Sequence, residues 1–119
     1  MSNEMLGDII PELTRILTPI GVPVVTLIPP KRPTELIRIT PTGGDGNALW
    51  LARALVAVEA WADTPRRARD LAQQARALLL QGAETSNLIH DAEATWPAAL
   101  PDPDTPTQRA VFTAQLTIL

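Results

Sequence analysis

Ser86, His90 and Asp91 bring a hydroxyl, an imidazole and a carboxylate within six residues of one another. These are the side chains of a hydrolytic relay, in which a base takes the proton of a nucleophilic hydroxyl and an acid orients the base. The spacing defeats that chemistry, because three groups so close along one strand or turn cannot converge on a single reacting atom. No second set is available: His90 is the one histidine, and the chain contains no cysteine and no tyrosine. His90 falls on the apolar-leaning side of its segment and reads as a structural residue. Asp102 and Asp104 could hold a cation with a neighbouring acid, but acids spaced by prolines in PDPDTP read as solvated loop positions. The glycine-rich run PTGGDGNA, positions 41–48, invites a phosphate-cradle reading. It lacks the Gly-Lys-Ser/Thr ending and the GxGxxG spacing that such cradles use to aim backbone N–H groups at a phosphate. The expectation is a protein with no catalytic residues, no cofactor and no metal.

Composition narrows the remaining classes. A length of 119 residues fits one domain, 1–119, with a modest core. The net charge of −3 gives no basic field for sequence-independent nucleic-acid binding. Absent cysteine excludes disulfides and fits a reducing compartment. The N-terminus carries acids where a secretory signal needs positive charge, and the longest uncharged run is broken by prolines and a glycine. A soluble, intracellular protein with no membrane partner is expected.

The elements follow from hydrophobic period. Leu6, Ile9, Ile10, Leu13, Ile16 and Leu17 share one helical face, with Asp8 as N-cap, Pro11 in the first turn, and Pro19 and Gly21 as the stop. VPVVTLI (22–28) and ELIRIT (35–40) read as strands, and joining them as a hairpin is the economical arrangement. PTGGDGNA then reads as a mobile connection.

From Arg53 to Ala62 the chain alternates. Ala54, Val56, Val58, Ala60 and Ala62 take one face; Arg53, Leu55, Ala57, Glu59 and Trp61 take the other. Asp63-Thr64-Pro65 is a helix-start signal, with Asp63 or Thr64 as N-cap and Pro65 near the first helical position. The helix it opens buries Ala68, Leu71, Ala72, Ala75, Leu78 and Leu79, with Gly82 placed to be C′. SNLIHDAEATWPAAL suggests a strand with Leu88, His90, Ala92, Ala94 and Trp96 on one side. QRAVFTAQLTIL is a strand with Ala110, Phe112, Ala114, Leu116 and Ile118 inward. The order α-β-β-β-α-β-β predicts an α+β fold: a mainly antiparallel or mixed sheet of about five strands with two helices on one face.

Two surfaces stand out as candidate interfaces. One is the glycine-rich loop of Thr42, Gly43, Gly44, Asp45, Gly46 and Asn47. The other is the polar stripe of the second helix, with Arg66, Arg69, Gln73 and Arg76, since arginine is favoured at protein interfaces.

The segment VEAWADTPRRARDLAQQARALLL, entered through that glycine-rich loop, resembles the tail terminator proteins of long-tailed, siphovirus-type bacteriophages, especially those of actinobacterial hosts. GVPVVTLIPPKRPTELIRITPTGG is similar to the first strands of that family, and LPDPDTPTQRAVFTAQLTIL to its last. The likeness covers nearly the whole chain and rests on element order, length and the Trp-Ala-x-Thr-Pro turn at Trp61 to Pro65. It implies a virion structural protein, assembled in the host cytoplasm, that forms a ring, typically a homo-hexamer, on the head-proximal end of the tail tube. Such a ring stops polymerisation of the tube protein and offers a surface to the neck protein, while DNA passes through its lumen without being read. The family carries no cofactor. Two other readings stay open: a different head–tail connector, and a small-molecule-binding α/β regulatory domain.

Overall fold

The computed structural model describes residues 9–45, 52–100 and 107–118. Helix α1, Ile9–Leu17, buries Ile9, Leu13, Ile16 and Leu17, the expected stripe. Leu6 and Asp8 lie outside the described residues. The helix tightens into a 3-10 turn, Thr18–Ile20, and stops at Gly21, whose φ of 85° suits a residue without a Cβ and whose N–H bonds to the Thr18 carbonyl.

Six strands form one sheet: β1 (Val24–Val25), β2 (Leu36–Asp45), β3 (Ala52–Ala62), β4 (Ile89–Ala94), β5 (Ala98–Ala99) and β6 (Gln108–Ile118). The spatial order is β1-β2-β3-β6-β4, and β5 continues the β4 edge along β6. Helix α2, Pro65–Thr85, lies between β3 and β4 in the chain. The fold is α+β, with an open mixed sheet and the element order read from the sequence.

Four local expectations change. First, β1 and β2 are parallel, Val24 opposite Ile37 and Val25 opposite Arg38, so they form no hairpin. The connection between them holds Pro29, Pro30 and Pro33 and no glycine or asparagine for a tight primed turn, so the chain crosses back before pairing. Pro23, unable to donate, instead accepts the Ile37 N–H, and β1 shrinks to two residues.

Second, residues 41–45 are strand, not loop. A register shift at Thr42 absorbs one residue, and Pro41 is tolerated because β1 does not reach that part of β2. A Cβ on Gly44 would sit 2.3 Å from the Arg53 carbonyl oxygen, so glycine is what allows the two strands to close here.

Third, Gly82 does not end α2, which runs on to Thr85. A Cβ at Gly82 would lie 2.6 Å from Cγ2 of Ile16, so this glycine is the point where α1 crosses α2. Fourth, β4 carries a register shift between Ile89 and Asp91. The extra residue is His90, which is exposed, while Ile89 is buried and Ala92 and Ala94 pack against the core. Leu88 is half-buried and Trp96 exposed, so the five residues do not share one face.

The core lies between the helices and one sheet face. Ile37, Ile39, Val56, Val58, Phe112, Leu116 and Ile118 meet Leu71 and Leu79 of α2, all fully buried. Thr64 caps α2 as anticipated, its hydroxyl accepting the Arg67 N–H at 3.1 Å, and Pro65 occupies the first turn. Leu78 is half-buried, and Ala83 joins the buried stripe instead.

Replacing Gly82 by alanine sets about 1 kcal/mol of improved helix propensity against overpacking that costs about 1–3 kcal/mol. The contact falls on Cγ atoms next to the Ile16 branch point, which has little room to turn. We expect a net loss, read as a lowered urea midpoint. The double variant Gly82→Ala/Ile16→Ala should show clear non-additivity. A Phe112→Ala control should lose about 3–5 kcal/mol.

Candidate interaction surface

The sheet face turned away from the helices places Leu36, Arg38 and Thr40 of β2 beside Trp61, Glu59 and Ala57 of β3. Arg109, Val111 and Thr113 of β6 complete the rows. At one end this face is closed. Leu36 is fully buried, and Glu59 and Trp61 are each 5% exposed. Glu59 accepts from Arg38 at 2.6 and 3.0 Å on one oxygen and from Arg109 at 3.2 Å on the other. Arg109 also donates to the Leu100 carbonyl at 2.9 Å. The guanidiniums of Arg32 and Arg109 lie 5.1 and 5.2 Å from the Trp61 ring centroid, and Arg32 donates to the Thr107 hydroxyl. A buried carboxylate demands paired donors, and this one has two. The cluster fastens three strands and the β1–β2 connection to one another.

The predicted interface residues divide. Thr42, Gly43 and Gly44 are exposed on the outer part of β2, and Asp45 pairs with Arg53 in the strand register. Gly46 and Asn47 lie outside the described residues. Arg66 and Arg69 are exposed on α2 and make no ion pair among the described residues. Arg76 is not part of that free stripe. Its Nε and Nη2 donate to the carbonyls of Ala94 and Thr95 at 3.0–3.3 Å, and its guanidinium lies 4.2 Å from the centroid of the Trp96 ring.

The chemistry-bearing trio does not assemble. The Ser86 hydroxyl donates to Glu12 and accepts the N–H groups of Leu88 and Ile89, so it ties α1 to the turn after α2. His90 points to solvent beyond it. Among the described residues no group of three or more metal-ligating side chains occurs, and Asp102 and Asp104 lie outside them. No helix among the described residues is long and apolar enough to cross a membrane.

Sequence reasoning missed Arg67, Glu35 and the arginine clamp on Trp96. Arg67 pairs with Glu35 through bonds of 2.7 and 3.1 Å, which holds the Glu35 carboxyl below its ordinary value. The bond from Arg15, then that from Ser86, does the same for Glu12. These pairs join positions far apart in the chain, so period alone gives no signal for them.

No family model matches the sequence, and no curated protein matches it. Solved structures with a related arrangement include a chain from the virion of a native gene transfer agent particle. It is 11% identical, with a TM-score of 0.48, over 89% of this chain and 83% of that one. A likeness at that level carries nothing about this chain's fold or function.

Removing Glu59 with alanine leaves Arg38 and Arg109 without their shared anion and should cost about 3 kcal/mol, while Glu59→Gln keeps some bonding and loses less. Equal midpoints for wild type and Glu59→Ala would dismiss the cluster as a stabilising element. Depressed carboxyls at Glu12 and Glu35 bind fewer protons folded than unfolded, so stability should rise with pH across the interval below the ordinary value of 4.5 and fall as the medium is acidified through it. The variant Glu12→Gln/Glu35→Gln should flatten that acid limb of the urea midpoint.

Proposed function

We propose that this chain is a non-catalytic virion structural protein, and within the virion the tail terminator. It forms a ring, a homo-hexamer as in the family it resembles, that caps the tail tube and presents a joining surface to the neck protein. The observation that carries this reading is where the exposed apolar side chains lie. Leu27, 82% exposed, follows β1 at one lateral edge of the sheet. Trp96 and Leu100, 73% and 51% exposed, flank β5 at the other. Large apolar groups left in water on two opposite edges suit a subunit that is covered on both sides by neighbours.

The family-like segment supports the same reading. Trp61 closes the open sheet face, Thr64 caps α2, and Pro65 starts it, so the Trp-Ala-x-Thr-Pro turn forms the rigid joint between sheet and helix. Arg66 and Arg69, just beyond that joint, are exposed cations without an ion pair among the described residues, offered to the neck or tube.

The test is assembly without this chain. Phage morphogenesis from which it is withheld should yield headless tails longer than normal; free tails of normal length would assign it to the neck instead. Charge reversal at Arg66→Glu/Arg69→Glu should leave stability within about 0.5 kcal/mol yet lower the yield of joined particles, counted by electron microscopy. Unchanged yield would remove the stripe from the joining surface.

A further inference from the structure

The two apolar edges differ in shape. Between α1 and β1 runs a groove of about 740 Å³ lined by Ile10, Pro11, Val24, Val25 and Leu27. Of the polar side chains on its wall, Thr14, Thr18 and Arg15 are bonded to neighbours in the chain, and Thr26 is exposed. The Thr14 hydroxyl donates to the Ile10 carbonyl at 2.8 Å, the Thr18 hydroxyl to the Thr14 carbonyl at 2.7 Å, and Arg15 pairs with Glu12. The groove therefore offers mainly methyls and methylenes to whatever enters it, with Thr26 and the Arg15–Glu12 pair on its wall. At the opposite edge stands a knob. Trp96 projects between β4 and β5 with its ring against the Arg76 guanidinium, which is itself fixed by the Ala94 and Thr95 carbonyls. An indole held in one orientation before contact loses little entropy on binding, and Trp beside Arg is the usual make-up of an interface anchor.

Charge follows the same polarity. On β4, at the same edge as the knob, Asp91 and Glu93 are exposed and make no ion pair among the described residues. On the groove side the β1–β2 connection carries exposed Lys31, likewise unpaired.

We infer that Trp96 of one copy seats in the α1–β1 groove of the next, with the β4 carboxylates turned toward the neighbour's Lys31. Knob and groove are different surfaces at opposite edges, so the contact is heterologous and repeats from copy to copy, closing into a ring where the rotation allows. This rests on the ring reading above and adds which surfaces meet.

The chain has no native cysteine, so the contact can be read by cross-linking. Thr26, on the groove wall, and Ala98, two residues past Trp96, are both exposed. Concentrated full-length Thr26→Cys/Ala98→Cys protein should oxidise to a ladder of covalent trimers and larger species on a denaturing, non-reducing gel, whereas either single variant gives no covalent ladder. Adding Trp96→Ala should reduce the ladder about tenfold, the scale for loss of an anchor residue. Glu93→Lys should reduce it less and more strongly at low salt. Circular dichroism should be unaltered in both.

Dimers from Ala98→Cys alone would mean Trp96 meets its own copy, and would overturn the proposal. Multimers seen by sedimentation without a ladder would overturn this contact but leave the ring. No multimers at any concentration would overturn it as well, and the terminator reading would then be judged separately by tail length.

Discussion

Everything in this molecule is arranged around the close approach of α2 to the middle of the sheet. The strand face beneath it contributes Ala54, Ala60 and Ala62 from β3 and Ala110 and Ala114 from β6; the helix contributes Ala68, Ala72 and Ala75, and each is nearly or wholly inaccessible. Small residues on both partners bring backbones together, so the dispersion contacts that hold the layers are made over many short distances. Bulkier side chains, among them Phe112, Leu116 and Ile118 of β6 and Leu71 and Leu79 of α2, fill the core around this alanine layer. The same economy governs the second helix contact. Gly82 against Ile16 is the tightest case, and it lets α1 lie close enough for Glu12 to reach Ser86 beyond the end of α2.

A sheet with one face so committed leaves the other to be managed by polar means. Glu59 lies at the crossing of three strands, with one guanidinium from β2 and one from β6. A buried ion pair is seldom a net source of stability, because desolvation offsets the attraction. Its effect here is positional: the native register sets Arg38 opposite Glu59 and Arg109 one row away, opposite Trp61, and slipping β3 by one residue would turn the carboxylate into the apolar layer. Trp61 in the neighbouring row is covered by two cations in the same way. Fold specificity on this face comes from charge, while adhesion comes from the alanine layer opposite.

That division explains what could be read in advance. Period-two and period-3.6 patterns give the facing of β3, β6 and α2 almost residue by residue, because each is long and half-buried. The Thr64 cap is legible for the same reason that it works: one hydroxyl, one orphan N–H, adjacent in sequence. Gly82 was misread because a glycine near a helix end looks alike whether it caps the helix or admits a neighbour, and the neighbour is Ile16, far away in the chain. His90 was misplaced because a bulge leaves no mark on composition and yet reverses the facing of every residue before it. The parallel entry of β1 was hidden behind prolines that forbid a tight turn without saying where the chain goes instead. At the surface, Arg66 and Arg69 are legible as exposed cations, but Arg76 is not distinguishable from them, since its partners are the carbonyls of Ala94 and Thr95, far away in the chain.

The sheet edges bear on how copies of such a subunit can meet. Strand β1 is two residues long and preceded by Pro23, so it offers almost no ladder to extend. Strand β4 carries a register shift at His90 and exposed carboxylates at Asp91 and Glu93, all devices that discourage a further strand from pairing. Backbone addition is thus opposed at both edges, although both edges carry exposed apolar side chains. A strand-to-strand contact would be tolerant of register and would propagate without limit. A side-chain contact is different: a knob held by Arg76 fits at one position and one angle, and the angle sets whether successive copies close. Under the proposed contact, blunted edges and a fixed tryptophan are two halves of one requirement, that neighbours engage through shape rather than through the sheet.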